Sequence, residues 1–89
     1  MTIRERIINA LQEAFAPLAL QVADDSARHA GHAGAREGGE THFSVYIVSE
    51  RFAGKSRLAR HRMVYQALEA EFADGVHALA LTALAPGER

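Results

Sequence analysis

Between Asp24 and Thr41 the chain carries Gly31, Gly34, Gly38 and Gly39 among alanines and polar residues, and nothing in that stretch can pack a core. Glycine loses more backbone freedom on ordering than any other residue, so repeated glycines block regular structure. About 17 residues without structure of their own exceeds the usual connection in a compact domain and marks a segment kept for function. The core must therefore come from the flanks. In a chain of 89 residues, those flanks make one small α+β domain, burying about 60–65% of its unfolded surface and leaving no room for a second core.

Each flank has a legible pattern. In "TIRERIINALQEAFAP", Ile3, Ile7, Ile8, Leu11 and Phe15 follow helical spacing, Thr2 and Glu5 form a capping box, and Pro17 ends the run. "LALQVAD" alternates Leu18, Leu20 and Val22 with smaller or polar neighbours and reads as a strand. Beyond the glycine segment, "HFSVYIVS" is a second strand, alternating and rich in aromatic and β-branched residues. A turn at Gly54 leads into a helix, "KSRLARHRMVYQALEAEFADG", with Leu58, His61, Tyr65, Leu68 and Phe72 on one stripe and Gly75 as its stop. "VHALALTAL" is a third strand, and "APGER", from about residue 86, is expected to fray. The predicted order is αββαβ, with a three-stranded mixed sheet and the helices on one face.

Composition narrows the chemistry. At 48% hydrophobic and 24% charged, with a formal net charge of -1, the chain is ordinary for a soluble globular protein, and no apolar run approaches a membrane span. The amphipathic, acid-containing N-terminus is unlike a secretory signal, so a cytoplasmic protein without a membrane partner is expected. With no cysteine, disulfides, thiolate catalysis and any self-contained iron–sulfur or cysteine-type zinc site are excluded.

Histidine can still serve as a nitrogen donor to a metal, and three of the five stand in or beside the glycine segment: His29, His32 and His42. A long loop can join the first two strands antiparallel, whereas a strand–helix–strand crossover makes the second and third parallel. The starts of strands two and three then share one edge with the loop, so His29 or His32, His42 and His77 can converge there. His61 lies in the first half of a helix that begins at the opposite edge, and a structural role suits it better. By itself H-x-x-H is a weak zinc pattern, because three or four ligands are normally needed.

The motifs "VADDSARHAGHAG", "GGETHFSVYIVSERFAGKSRLARHRMVYQALEAEF" and "GVHALALTALAP" together resemble the BolA family, from the first helix to Pro86. The loop form "HAGHAG" is similar to the branch with histidine rather than cysteine at that place. The resemblance implies a class II KH-like fold and a partner, a CGFS-type monothiol glutaredoxin, with which family members share a [2Fe-2S] cluster. It also implies DNA-binding transcriptional regulation in stress and morphology responses for some members. By position, the family's strand-three ligand falls on His77 and the loop ligand on His29, with His32 as an extra candidate. The chemistry agrees: imidazole can replace two thiolates of a [2Fe-2S] cluster, as Rieske centres show, so a cysteine-free chain can donate histidines where a partner brings the thiolates. No cluster is expected on the isolated chain, whose state is expected to be a monomer or weak dimer.

A second feature competes. Arg51, Lys55, Arg57, Arg60 and Arg62 place five bases and no acids between positions 51 and 62. Cations at a helix N-terminus oppose its dipole, so their clustering asks for a reason. Lys55, Arg57, Arg60 and Arg62 are the candidate contacts to duplex DNA phosphates. Against that, "FAGKSR" offers only Gly54 where a KH domain has its G-x-x-G clamp, which favours docking on an acidic surface of the glutaredoxin. An enzyme built on Asp24, Asp25, Ser26 and His29 is disfavoured, since a glycine-rich loop holds a nucleophile and base poorly.

Overall fold

The computed structural model describes residues 1–25 and 41–88. Helix α1 (Ile3–Phe15) opens on the expected capping box: Thr2 Oγ1 accepts from the Glu5 amide at 3.1 Å, and the Thr2 amide donates to the Glu5 carboxylate at 2.9 Å. Its Ile7, Leu11 and Phe15 are buried. The helix stops at Ala16, which takes a left-handed conformation (φ 43°) ahead of Pro17.

Strand β1 (Ala19–Asp24) pairs antiparallel with β2 (His42–Val48), and β2 pairs in parallel with β3 (Ala78–Leu84), so β2 is central. One face of the sheet presents Val22, Phe43, Val45 and Ile47 to the helices, all at most 4% exposed. Burying each such side chain contributes on the order of 1.5–3 kcal/mol. The other face carries Gln21, Ala23, Tyr46, Ala80 and Thr82 and is exposed. The helices therefore lie on one side, as expected.

Between β2 and β3 the chain makes a short 3₁₀ turn (Glu50–Phe52), helix α2 (Arg57–Ala67) and a short helix α3 (Glu69–Ala73). Ser49 anchors that passage. Fully buried, its hydroxyl donates to the Phe15 carbonyl at 2.7 Å and accepts from the Arg51 amide at 3.2 Å, while Phe52 packs on Phe15 at 5.0 Å between ring centres. Ser56 caps α2 by accepting from the Ala59 amide.

Two expectations for this segment are corrected. The single helix breaks at Leu68 (φ -104°, ψ 17°), which is 1% exposed and fills the core, while beyond the break Glu71 reaches Arg6 of α1 at 3.1 Å. The buried stripe is also rotated. Val64 and Leu68 face the sheet, whereas Leu58 and Tyr65 are 60% and 42% exposed. Tyr65 instead joins an outer aromatic row, stacked on His61 with ring centres 6.5 Å apart and packed on Phe72 at 4.9 Å. Aromatic rings with a polar tip sit comfortably at such half-wet positions, so their helical spacing does not by itself mark the core face.

Candidate functional site

The edge at which β2 and β3 begin is stitched by one residue. The buried Thr41 uses its carbonyl to accept from the amides of His77 at 2.7 Å and Ala78 at 3.1 Å, tying the entry of β3 to that of β2. Its hydroxyl lies 2.9 Å from His42 Nδ1. His42 and His77 consequently sit side by side, ring centres 5.3 Å apart and planes tilted by 48°. His77 is exposed and His42 half-buried. The glycine segment leaves from the same place: the Asp25 amide donates to the His42 carbonyl at 2.7 Å, and Ser44 Oγ donates to the Asp25 carboxylate.

Of the sequence-derived metal candidates, His77 is thus at the loop edge with His42 beside it, and His29 and His32 lie outside the described residues. Among the described residues no group of three or more His, Cys, Asp or Glu side chains could hold a metal ion. The two imidazoles complete a metal site only with donors from the remaining segment, from solvent or from another molecule. An exposed His77 at this edge is compatible with a [2Fe-2S] cluster whose thiolates come from elsewhere, because imidazole nitrogens can serve where thiolates are lacking. His61 is on α2, outside this group, and its ring stacks on Tyr65.

The opposite end of the sheet is basic. Lys55, Arg57, Arg60 and His61 line a groove of about 440 Å³ against Leu81, Thr82, Ala83 and Leu84 of β3. Lys55, Arg57 and Arg62 are exposed. Arg60 is not: its side chain is only 11% exposed, donating Nε to the Lys55 carbonyl at 3.0 Å, Nη1 to the Ala83 carbonyl at 3.1 Å, and both Nη atoms to the two carboxylate oxygens of Glu88 at 2.5 and 2.9 Å. Glu88 also accepts from the Ala85 amide at 2.9 Å. The Arg60 bonds first, and that amide second, hold the Glu88 carboxyl down at a pKa of about 2, and Glu88 in turn raises that of Arg60. Where fraying from about residue 86 was expected, the tail through Glu88 is docked. No local pattern announces this, since the partners stand 28 residues apart.

These features match a known group. The family profile described as "BolA-like protein" covers residues 11–88. The chain belongs to the BolA family. Its fold superposes on the BolA domain of SufE1 from Arabidopsis thaliana with a TM-score of 0.87 at 43% identity, covering 97% of this chain and 94% of that one. It is 51% identical over 81 residues to the protein named "DNA-binding transcriptional regulator BolA" of Escherichia coli K12, covering 91% of this chain and 73% of that protein. It is 45% identical over 92 residues to the chloroplastic/mitochondrial SufE-like protein 1 of Arabidopsis thaliana, covering 99% of this chain. The chain spans only 24% of that plant protein's length. As a BolA-family chain it has the α+β fold expected from its sequence, and among the described residues no helix is long and apolar enough to cross a membrane.

Proposed function

We propose that this BolA-family chain is a non-catalytic adaptor that pairs with a monothiol glutaredoxin and shares its [2Fe-2S] cluster. The observation that carries the reading is the exposed His77 at the loop edge of the sheet, seated by the Thr41 carbonyl on its amide. A backbone fixed by two hydrogen bonds to one carbonyl, with the side chain in solvent, presents imidazole to a docking molecule at little ordering cost. The glycine segment supplies the second nitrogen, from His29 ahead of His32, and its glycine- and alanine-rich composition suits a ligand that meets metal only when the partner arrives. The glutaredoxin brings the thiolates that a cysteine-free chain lacks. Assembly, delivery or sensing of iron–sulfur clusters in the cytoplasm are the roles this arrangement serves. The test is to mix the chain with cluster-loaded monothiol glutaredoxin and record visible absorption and circular dichroism. A new spectrum is expected, and a spectrum equal to that of glutaredoxin alone would end the proposal.

One observation favours a second reading, duplex DNA binding in gene regulation. The E. coli relative is named a DNA-binding transcriptional regulator, and here Lys55, Arg57 and Arg62 stand exposed around the start of α2. Arg60 adds less than its position suggests, because Glu88 already neutralises it. Docking of the basic end on an acidic protein surface is therefore preferred over DNA, and strongly salt-dependent submicromolar binding of labelled duplex would reverse that preference.

A further inference from the structure

Strand β3 pairs with β2 on one side only, so its other edge is open, and the alternation of its backbone shows which groups lie there. In a parallel pair a residue points its amide and carbonyl to the same neighbour, and the next residue points the other way. Ala78 donates its amide to the Thr41 carbonyl and the Leu84 carbonyl accepts from the Ser49 amide, so residues 78, 80, 82 and 84 face β2. Leu79, Leu81 and Ala83 therefore face outward. Two of their carbonyls are taken by side chains of α2: Tyr65 Oη donates to Leu79 at 3.4 Å, and Arg60 Nη1 donates to Ala83 at 3.1 Å. Leu81 stands between them with both its amide and its carbonyl turned outward, and neither has a hydrogen-bond partner among the described residues.

The groove of about 440 Å³ runs along this edge, with Leu81 and Ala83 on one side and Lys55, Arg57 and His61 on the other. Its charge is positive. Lys55 and Arg57 are exposed and in no ion pair among the described residues, whereas Arg60 is already paired with Glu88, and β3 itself carries no charged side chain. A free amide beside a free carbonyl matches another peptide backbone, which both donates and accepts. A phosphodiester backbone only accepts and would leave the Leu81 carbonyl unmatched. From Leu79 to Ala83 the edge runs about 13 Å, room for about five extended residues. Tyr65 and Arg60 cap it at either end, which limits pairing to a short segment and discourages two copies from joining edge to edge. We propose that the β3 edge beside α2 takes an extended acidic segment of a partner protein as a fourth strand, paired through the amide and carbonyl of Leu81, with carboxylates at alternate positions turned toward Lys55 and Arg57. The site involves neither the histidine end nor a cluster, so it stands or falls separately from the cluster-sharing reading.

The probe is an end-blocked peptide of alternating glutamate and threonine, titrated into the isotopically labelled chain without glutaredoxin. The Leu81 and Ala83 amides should shift on one saturating curve, and exchange of the Leu81 amide with solvent should slow at saturation. Lys55→Ala and Arg57→Ala, both at exposed positions, should each weaken binding about two- to fivefold, the range of an exposed ion pair. The same peptide methylated on every amide nitrogen keeps its charge but cannot donate to Leu81, and it should not bind. Equal binding of the methylated peptide would show attraction by charge alone and overturn the strand pairing. Equal binding of a lysine–threonine peptide would overturn the acidic preference. The proposal also fails if the acidic peptide does not bind, if Leu81 exchange is unchanged at saturation, or if Leu81 becomes protected in the chain alone as its concentration rises, which would give the edge to a second copy.

Discussion

At one end of the sheet, His42 and His77 meet where β2 and β3 begin; at the other, about 20 Å along the strands, Arg60 grips Glu88 where β3 ends. Both ends are built by tying β3 to a neighbouring element, but with opposite results. At the histidine end the tie is made by backbone, the Thr41 carbonyl taking two amides, and the exposed His77 ring is left to the solvent. At the arginine end the tie is made by the functional group itself, so the guanidinium is consumed in holding the tail and the β3 carbonyl of Ala83. A side chain that serves structure in this way offers little to a partner, because an incoming ligand must first replace what it already has. The comparison explains why the histidine end is the better candidate for chemistry and why the basic end keeps only its outer residues, Lys55, Arg57 and Arg62, for docking.

The largest effect that could break this comparison is at His77. His77→Ala should abolish the spectrum formed with cluster-loaded glutaredoxin while leaving the amide spectrum folded, and a retained spectrum would remove His77 from the site. The loop comes next: His29→Ala should weaken that complex more than His32→Ala, read as the glutaredoxin concentration needed for half the spectral change. Equal, undiminished complexes in both single variants and in the double variant would take the loop out of the site.

At the basic end the expected effects are smaller and unequal. If the patch meets duplex DNA, each of Lys55→Ala, Arg57→Ala and Arg62→Ala should lower the magnitude of the log–log salt slope by about 0.9. If it docks an acidic protein surface, the same variants should slow association with the glutaredoxin and leave DNA binding negligible. Arg60→Ala should behave differently from all three, lowering stability rather than the slope, because it releases Glu88 and the Ala83 carbonyl.

The smallest effect is a pH dependence confined to the tail. With its folded pKa held at about 2 by Arg60 first and the Ala85 amide second, against an ordinary 4.5, Glu88 stabilises the fold fully above about pH 4.5 and loses that contribution as pH falls toward 2. The difference in urea midpoint between the wild type and Glu88→Gln should therefore be constant above that window and shrink within it. An unchanging difference down to pH 2 would show that the contact is absent in solution.

Much of this comparison is legible in the sequence, and the limits have physical causes. The capping box at Thr2 and Glu5, the alternation around Phe43, Val45 and Ile47, and the crossover between β2 and β3 are local or topological signals, so they place His42 and His77 at one edge of the sheet. The phase of α2 is not readable in that way. His61 and Tyr65 repeat at helical spacing as a core stripe would, but they form an outer row while Val64 takes the core. The break at Leu68 has no glycine or proline to announce it and reflects packing against α1 and the sheet. Arg60 reads as one more surface base until Glu88 is brought to it by the path of β3. The functional positions of the loop histidines belong to the family resemblance rather than to any geometry, since their residues lie outside those described.

The most direct measurement is a map of backbone amide shifts on adding cluster-loaded monothiol glutaredoxin to the isotopically labelled chain. The expected result is that the amides at residues 41–43 and 76–79 change or broaden most, with smaller changes at Lys55, Arg57 and Arg62 from docking and the least at Glu88. Changes centred on residues 55–62 and 82–88, with the amides of His42 and His77 unmoved, would contradict the assignment of the histidine end as the working end of the molecule.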